Sequence, residues 1–381
     1  MQIKFNKPYL TGKETDYIKE AVESGKISGD GMFTKKCHEF LEKKYGFGKA
    51  LLTTSCTHAL EMAAILIDAK PGDEIIMPAY TFVSTANAFV LRGAKIIFAD
   101  SCPNNPNIDV NSIESLITNK TKAIVVVHYA GIACDMEKLA EIVKKHNLFL
   151  IEDAAQAIDS YYNNKPLGSF GDFATFSFHE TKNIISGEGG ALVINNKKYF
   201  KRAEIIREKG TNRSAFFRGE VDKYNWVDVG SSYLPSEIIS AFLYAQLENL
   251  EDIQAKRMRL WNLYQNGLKE MALIYGFNLP EIPDYSPGNA HLYYLVCSDG
   301  DDRNGLIDHL RANGIHAVFH YISLEHSPYY KKFYSGKELT NSKRFEESLV
   351  RLPLYYELKE SEVIYVIDKI RDYYSQKLQP E

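Results

Sequence analysis

Much that would point this chain toward a membrane, a metal or a nucleic acid is missing from it. No run approaches the ~20 apolar residues of a membrane-spanning helix, and AIVVV at 123–127 has the length of a buried strand. The segment MQIKFNKPYL lacks the apolar core of a secretion signal. The five cysteines (Cys37, Cys56, Cys102, Cys134, Cys297) are odd in number and scattered, with no CxxC pair and no Cys/His ligand spacing. Neither a disulfide framework nor a metal site is expected, and idle thiols suit a cytoplasmic setting. Lys and Arg total 45 against 49 Asp and Glu, a net charge of −4, so there is no basic field for nucleic acid or an anionic membrane. Internal repeats and low-complexity tracts are absent too.

What is present is an ordinary globular composition, 45% hydrophobic and 25% charged, in 381 residues, which is long enough for more than one domain. A helical pattern near Lys13–Val22, a glycine turn at Ser28–Gly31 and a helix to about Tyr45 form a lead-in. From Ala50 strands and helices alternate. Ala50–Thr53, Asp73–Met77, Lys95–Asp100, Ala123–Val127 and Phe149–Ile151 read as strands; Leu60, Ala63, Ala64 and Ile67 share one helical face; Met136–His146 is another helix. Such alternation predicts an α/β fold whose mostly parallel sheet is covered on both faces. Near Glu248 the pattern changes. A long helix (Leu247 to about Glu270), a proline-bearing loop at 280–288, strands at Leu292–Val296 and Ala317–Tyr321, a helix ending at Gly314 and a last helix from about Glu360 predict a smaller α+β domain. The division drawn is 1–247, with the lead-in, and 248–381.

The chemistry centres on Phe173–Val193, FATFSFHETKNIISGEGGALV: a strand, a turn carrying Lys182, a glycine-rich turn and a second strand. A loop lysine is ordinarily a solvated charge. Here Ser177 ends the strand and Gly187, Gly189 and Gly190 let the backbone pass close to a ligand. Ligands of open α/β sheets sit beyond the carboxyl ends of the strands. That rule gathers Asp153, with Gln156 one turn on, which could also be a helix cap. It gathers the helix start at Ser55, Cys56, Thr57 and His58, where free N–H groups suit a phosphate. It also gathers Tyr80 or Phe82, either of which could lie against a ring or belong to the core. A phosphate cradle, a flat aromatic, a carboxylate and a desolvated lysine at one sheet edge match the needs of pyridoxal 5′-phosphate.

The strings LLTTSCTHALEMAA, PGDEIIMPAYTFVSTANAFVLRGAKIIFAD, IEDAAQA, FSFHETKN with GEGGA, REKGTNRSAFFRGEVDKYNW, GSSYLPSE and AVFHYISLEH resemble the DegT/StrS-type sugar aminotransferases of the aspartate-aminotransferase fold, essentially end to end. HETKN and GSSYLPSE resemble the narrower group of dTDP-4-amino-4,6-dideoxygalactose transaminases. The resemblance implies Lys182 as the Schiff-base lysine and proton carrier, and Asp153 as partner of the pyridinium nitrogen. It implies Gln156 beside the 3-hydroxyl, Phe82 over the ring, and Thr57, His58 and Ser177 at the phosphate. Where Ser232 stands, many members carry an asparagine that reaches the phosphate from the partner subunit. L-glutamate is the implied amino donor and dTDP-4-keto-6-deoxyglucose the acceptor. Arg213, Arg218 and Lys223 are candidates for the diphosphate, unless they belong to a solvated loop, and His320 and Tyr321 are candidates for the sugar. Amination at carbon 3, the gluco epimer, a dehydratase with histidine in place of the lysine, and a non-catalytic relative stay open as alternatives; Lys182 speaks against the dehydratase.

The resemblance also implies a homodimer with shared active sites. The stretch Asn212–Ser232 shows little helical or strand period, yet carries Phe216, Phe217, Tyr224 and Trp226, and an aromatic loop of that length is expected to pack on a second subunit.

Overall fold

A computed structural model describes residues 2–377. The strands in chain order are β1 (Lys49–Thr53), β2 (Glu74–Pro78), β3 (Lys95–Ala99), β4 (Thr121–Val127), β5 (Phe149–Asp153), a small hairpin of β6 (Tyr161–Tyr162) and β7 (Lys165–Pro166), then β8 (Phe173–Ser177), β9 (Gly190–Ile194), β10 (Tyr293–Val296) and β11 (Leu349–Leu352). Seven form one sheet in the order β1-β9-β8-β5-β4-β2-β3. All its pairings are parallel except those of β9, which runs against both β1 and β8.

Both faces of this sheet are buried, which is why its strands read as unbroken apolar runs. On one face Leu52, Ile124, Val126 and Phe176 meet the helices Met32–Tyr45, Met136–His146 and Glu237–Glu248. On the other, Leu51, Ile75, Met77 and Val125 meet Cys56–Leu66, Val83–Val90 and Phe200–Arg207. The alternation of successive residues between the two clusters follows from the period of two along a strand. Helix Met32–Tyr45 begins at Gly31 without a cap of its own. Glu237, inside GSSYLPSE, fills the gap, accepting from the N–H groups of Gly31, Phe33 and Thr34 at 2.9, 2.7 and 3.1 Å. A buried carboxylate at a helix start satisfies free donors and the positive end of the dipole together. A Cβ at Gly31 would fall 2.5 Å from the Glu237 carboxyl carbon, so the turn needs glycine there.

The smaller unit packs the antiparallel pair β10/β11 against helices Leu250–Tyr275, Gly300–Ala312, Thr340–Ser348 and Glu360–Lys377, with Leu260, Tyr264, Leu306, Val350 and Ile367 in its core. Ile3 lies in the same core, its backbone paired with Gly314 and His316. Phe5 then accepts from the Leu354 N–H, and Tyr9 stacks on Tyr356 at 3.8 Å.

Two expected features differ. The strand expected at Ala317–Tyr321 reduces to a single pairing of Val318 with Arg351, closed by N–H···O bonds of 3.1 and 2.7 Å. Beyond it His320 and Tyr321 stack on each other, centroids 3.6 Å apart, and meet Tyr80 and Tyr129 of the large unit, which draws the chain out of the ladder. Asn212–Ser232 is not free of structure either. Arg213–Phe217 is a short helix, and bridges at Glu208/Ser232 and Thr211/Trp226 close the segment on itself. Among the described residues no helix is long and apolar enough to cross a membrane.

Candidate active site

A cavity of about 560 Å³ opens where the carboxyl ends of β1, β2, β4, β5 and β8 converge, and the smaller unit closes its far side with His291, His320, Tyr321 and Arg351. That volume suits a small organic ligand. Asp153 ends β5 and is 5% exposed. Its Oδ2 accepts from the Thr85 hydroxyl at 2.7 Å and its Oδ1 from the Ala155 N–H at 3.2 Å. Burial raises its pKa, against the pull of those two donors and of Lys182. A carboxylate so placed is stabilised by a cation that it does not find among its hydrogen-bond partners.

Lys182 sits in the turn between β8 and β9, its N–H bonded to the His179 carbonyl at 2.9 Å. Its side chain faces the cavity, and burial pulls its pKa below 10.5. An amine with a lowered pKa is a better nucleophile near neutral pH. Behind it β9 starts hard against the helix Cys56–Leu66: a Cβ on Gly190 would lie 2.4 Å from the Cys56 nitrogen. That contact sets the helix start, where Ser55 accepts from the His58 N–H at 3.1 Å. The N–H groups of Cys56 and Thr57 have no partner inside the helix and sit at the cavity wall.

Of the residues singled out in the sequence, Ser55, Cys56, Thr57, Phe82, Asp153, Gln156, Ser177, Lys182, His320 and Tyr321 line this one cavity. Phe82 is 56% exposed and tilted against Tyr321. The Gln156 amide is held from both ends, accepting from the Ala130 N–H at 2.6 Å and donating to the Tyr321 hydroxyl at 3.0 Å. His320 Nδ1 meets the Tyr129 hydroxyl at 2.6 Å, and burial holds its pKa well below 6.5. The others lie outside the cavity of their own chain. His58 turns toward Thr54 and Tyr233. Ser232 pairs with Glu208, Arg213 ion-pairs with Glu208 at 2.8 Å, Arg218 with Glu204 at 2.9 Å and Glu220 at 2.7 Å, and Lys223 is exposed. Sequence reasoning passed over Thr85, Arg351 and His291. Thr85 looks like any helix threonine, Arg351 sits on a short apolar strand, and His291 lies in the loop just before another, with nothing local to mark either.

Glu152, beside Asp153, is fully buried and accepts from the N–H groups of Gly168, Phe170 and Gly171 at 2.7, 2.8 and 2.7 Å. His128 Nδ1 accepts from the Cys134 N–H, so the ring proton sits on Nε2 and is donated to Glu152 at 3.1 Å. Burial alone would raise this carboxyl, but His128 and the backbone donors outweigh it and hold the pKa below 4.5. Glu152→Gln, which turns an amide toward these donors, is expected to cost about 3–5 kcal/mol in denaturant melts at pH 7. A depressed folded pKa means the contribution is full above pH 4.5 and fades as pH falls through the folded value. The gap between wild type and variant should therefore narrow in acid; an equal gap at pH 7 and pH 3 would count against the ionised reading.

The residues present fit pyridoxal phosphate on these grounds: a buried carboxylate short of a cation, a desolvated lysine, and free N–H groups at a helix start held in place by Gly190. A family model described as the DegT/DnrJ/EryC1/StrS aminotransferase family matches residues 8–371. GDP-perosamine synthase from Escherichia coli O157:H7 is 32% identical over 374 residues, covering 97% of this chain and 98% of that protein. Among solved structures, the pyridoxal-phosphate form of a putative sugar aminotransferase, Spr1654 from Streptococcus pneumoniae, superposes with a TM-score of 0.91 at 25% identity over the full length of both chains. Helicobacter pylori PseC, an aminotransferase of pseudoaminic acid biosynthesis, gives 0.90 at 25% identity, covering 99% of this chain and all of that one. The fold is the fold type I arrangement of these enzymes, the cofactor is pyridoxal 5′-phosphate, and the chain belongs to the DegT/DnrJ/EryC1/StrS family of sugar aminotransferases.

Proposed function

We propose that this sugar aminotransferase moves the amino group of L-glutamate to carbon 4 of dTDP-4-keto-6-deoxyglucose, giving dTDP-4-amino-4,6-dideoxygalactose for a surface polysaccharide. The observation that carries transamination is the pairing, in one cavity, of a desolvated Lys182 with a buried, cation-deficient Asp153. The choice of nucleotide and sugar rests on the likeness of HETKN and GSSYLPSE to the narrower group.

When bound, pyridoxal phosphate supplies an aldehyde that takes up the amino group and a ring that withdraws electrons from the neighbouring carbon. The chain's own residues do the rest. The helix start at Cys56 and Thr57, with Ser177, would hold the phosphate. Phe82 would cover the ring, Gln156 would stand by its 3-hydroxyl, and Asp153 would keep its nitrogen protonated. Lys182 would hold the aldehyde and supply the base that moves the proton from the substrate carbon. His320 and Tyr321, stacked at the cavity's far wall, exclude water and face the sugar.

The test is to supply glutamate with dTDP-4-keto-6-deoxyglucose or with its GDP-linked 4-keto counterpart, the latter prompted by the GDP-perosamine synthase relative. The amino sugar's ring position and epimer are then read by NMR. An axial amine at carbon 4 of the dTDP sugar supports the reading; turnover of the GDP sugar alone overturns it.

Assembly as a homodimer with shared active sites belongs to the same proposal. Trp226 is 82% and Phe217 70% exposed, on a segment that also carries Tyr224, Val227 and Val229. Such a patch is covered at low cost by a second copy across a twofold axis. Trp226→Glu with Phe217→Glu is expected to sediment as a monomer and lose most of its activity. A dimer of full activity would remove this segment from the interface.

A further inference from the structure

His291, two residues before β10, is buried against the turn that carries Lys182. Its backbone N–H donates to Asn289 Oδ1 at 3.0 Å, and Asn289 Nδ2 donates to the carbonyls of Gln156 and Ile158 at 2.9 and 2.8 Å. Asn183, the residue after Lys182, donates from Nδ2 to the Asn289 carbonyl and to Gln254 Oε1, each at 2.8 Å. A backbone carbonyl only accepts, so this fixes which way the Asn183 amide points. Its oxygen therefore faces His291 Nδ1, 2.9 Å away, and an amide oxygen can only accept. The imidazole must carry its proton on Nδ1. The opposite nitrogen, Nε2, is left with a lone pair, has no partner among the described residues, and stays accessible on a residue that lines the cavity. The ring remains neutral: burial first, then the charges of Lys182, Arg257 and Arg351, push its pKa well below 6.5.

We propose that Nε2 of His291 is a specificity element of the sugar site, accepting a hydrogen bond from the hydroxyl next to the carbon that is aminated. Resting on the substrate reading above, that hydroxyl is on carbon 3, because the other neighbour of carbon 4 is carbon 5, which bears a methyl group and no donor. Lys182 marks where carbon 4 must come; His291 lines the same cavity and is bonded through the Asn183 amide to the residue that follows Lys182, which brings the acceptor to that side of the site. A neutral acceptor with its proton locked away prefers a donor in that place and, once the sugar covers it, is left with an unpaired lone pair when the donor is missing.

The holoenzyme and its His291→Phe and His291→Gln variants are assayed with dTDP-4-keto-6-deoxyglucose and with the 3-deoxy form of the same sugar. Wild type is expected to favour the 3-hydroxy sugar in kcat/KM by about 10- to 100-fold. His291→Phe, which has no acceptor, should treat the two sugars alike, and His291→Gln, which keeps one, should recover part of the preference. Bleaching of the yellow cofactor band by glutamate, read in each variant, reports a formed site without the sugar. A His291→Phe enzyme that keeps the wild-type ratio overturns the proposal. So does one that glutamate no longer bleaches, since the histidine would then serve the donor half. The substrate reading fails separately, through a wild type that bleaches but rejects the dTDP sugar; the same ratios are then taken with the 4-keto sugar it accepts.

Discussion

Lys182→Ala is expected to fold and to lose sugar amination by at least ~10⁴-fold, the largest effect of any single substitution in the chain. On the proposed mechanism two roles disappear at once: the amine that anchors the cofactor aldehyde, and the base that carries the proton between the two carbons. Stability should not suffer. The amine is held in a site where burial already disfavours its charge, so removing it relieves a desolvation cost. Single-turnover amination, followed by chromatography of the nucleotide sugar, gives the loss; a thermal melt of the cofactor-free protein, within a few degrees of wild type, shows that the fold survives. Residual turnover near wild type would mean that another amine does the work.

Asp153→Asn comes second, with turnover down by about 10³-fold or more while the cofactor still binds. The substitution keeps the shape, and the amide oxygen can still take the Thr85 hydroxyl that Oδ2 accepts at 2.7 Å. On the proposed role, what it removes is the negative charge that would hold the ring nitrogen protonated, and with it the ring's capacity to draw electrons. Turnover per bound cofactor is the quantity to measure. A variant that binds cofactor poorly but works normally once loaded would leave Asp153 as a helix cap and nothing more.

The sheet and its strand ends were legible because βα alternation writes itself as apolar runs separated by amphipathic helices, and a parallel sheet gathers its functional residues at one edge. Lys182, Asp153, Gln156 and Ser177 lie at or just beyond such ends, and they meet in the cavity. The far wall was harder. Arg351 and His291 belong to the smaller unit, and nothing along the chain says that β11 faces the loop after β8. His58 misled because being beside a helix start in sequence is not the same as pointing from it: its ring turns back to Thr54 and Tyr233. The segment Asn212–Ser232 looked unstructured because its order comes from ion pairs such as Arg218 to Glu204 and from isolated bridges, which leave no periodic trace.

Residues 3–9 have a bearing on how the molecule acquires its shape. Ile3, Phe5, Lys7 and Tyr9 find their partners at Gly314–His316, Leu354, Glu357 and Tyr356, at the far end of the sequence. During synthesis the large sheet can close around its own core, with Asn6 and Tyr9 meeting Glu180 and Gln246, while the segment's remaining partners wait until the smaller unit has been made. Phe5 and Asn6 also form part of the cavity wall. Closure of the catalytic pocket is thus among the last events of folding, and a nascent chain carries a finished sheet well before it carries a site.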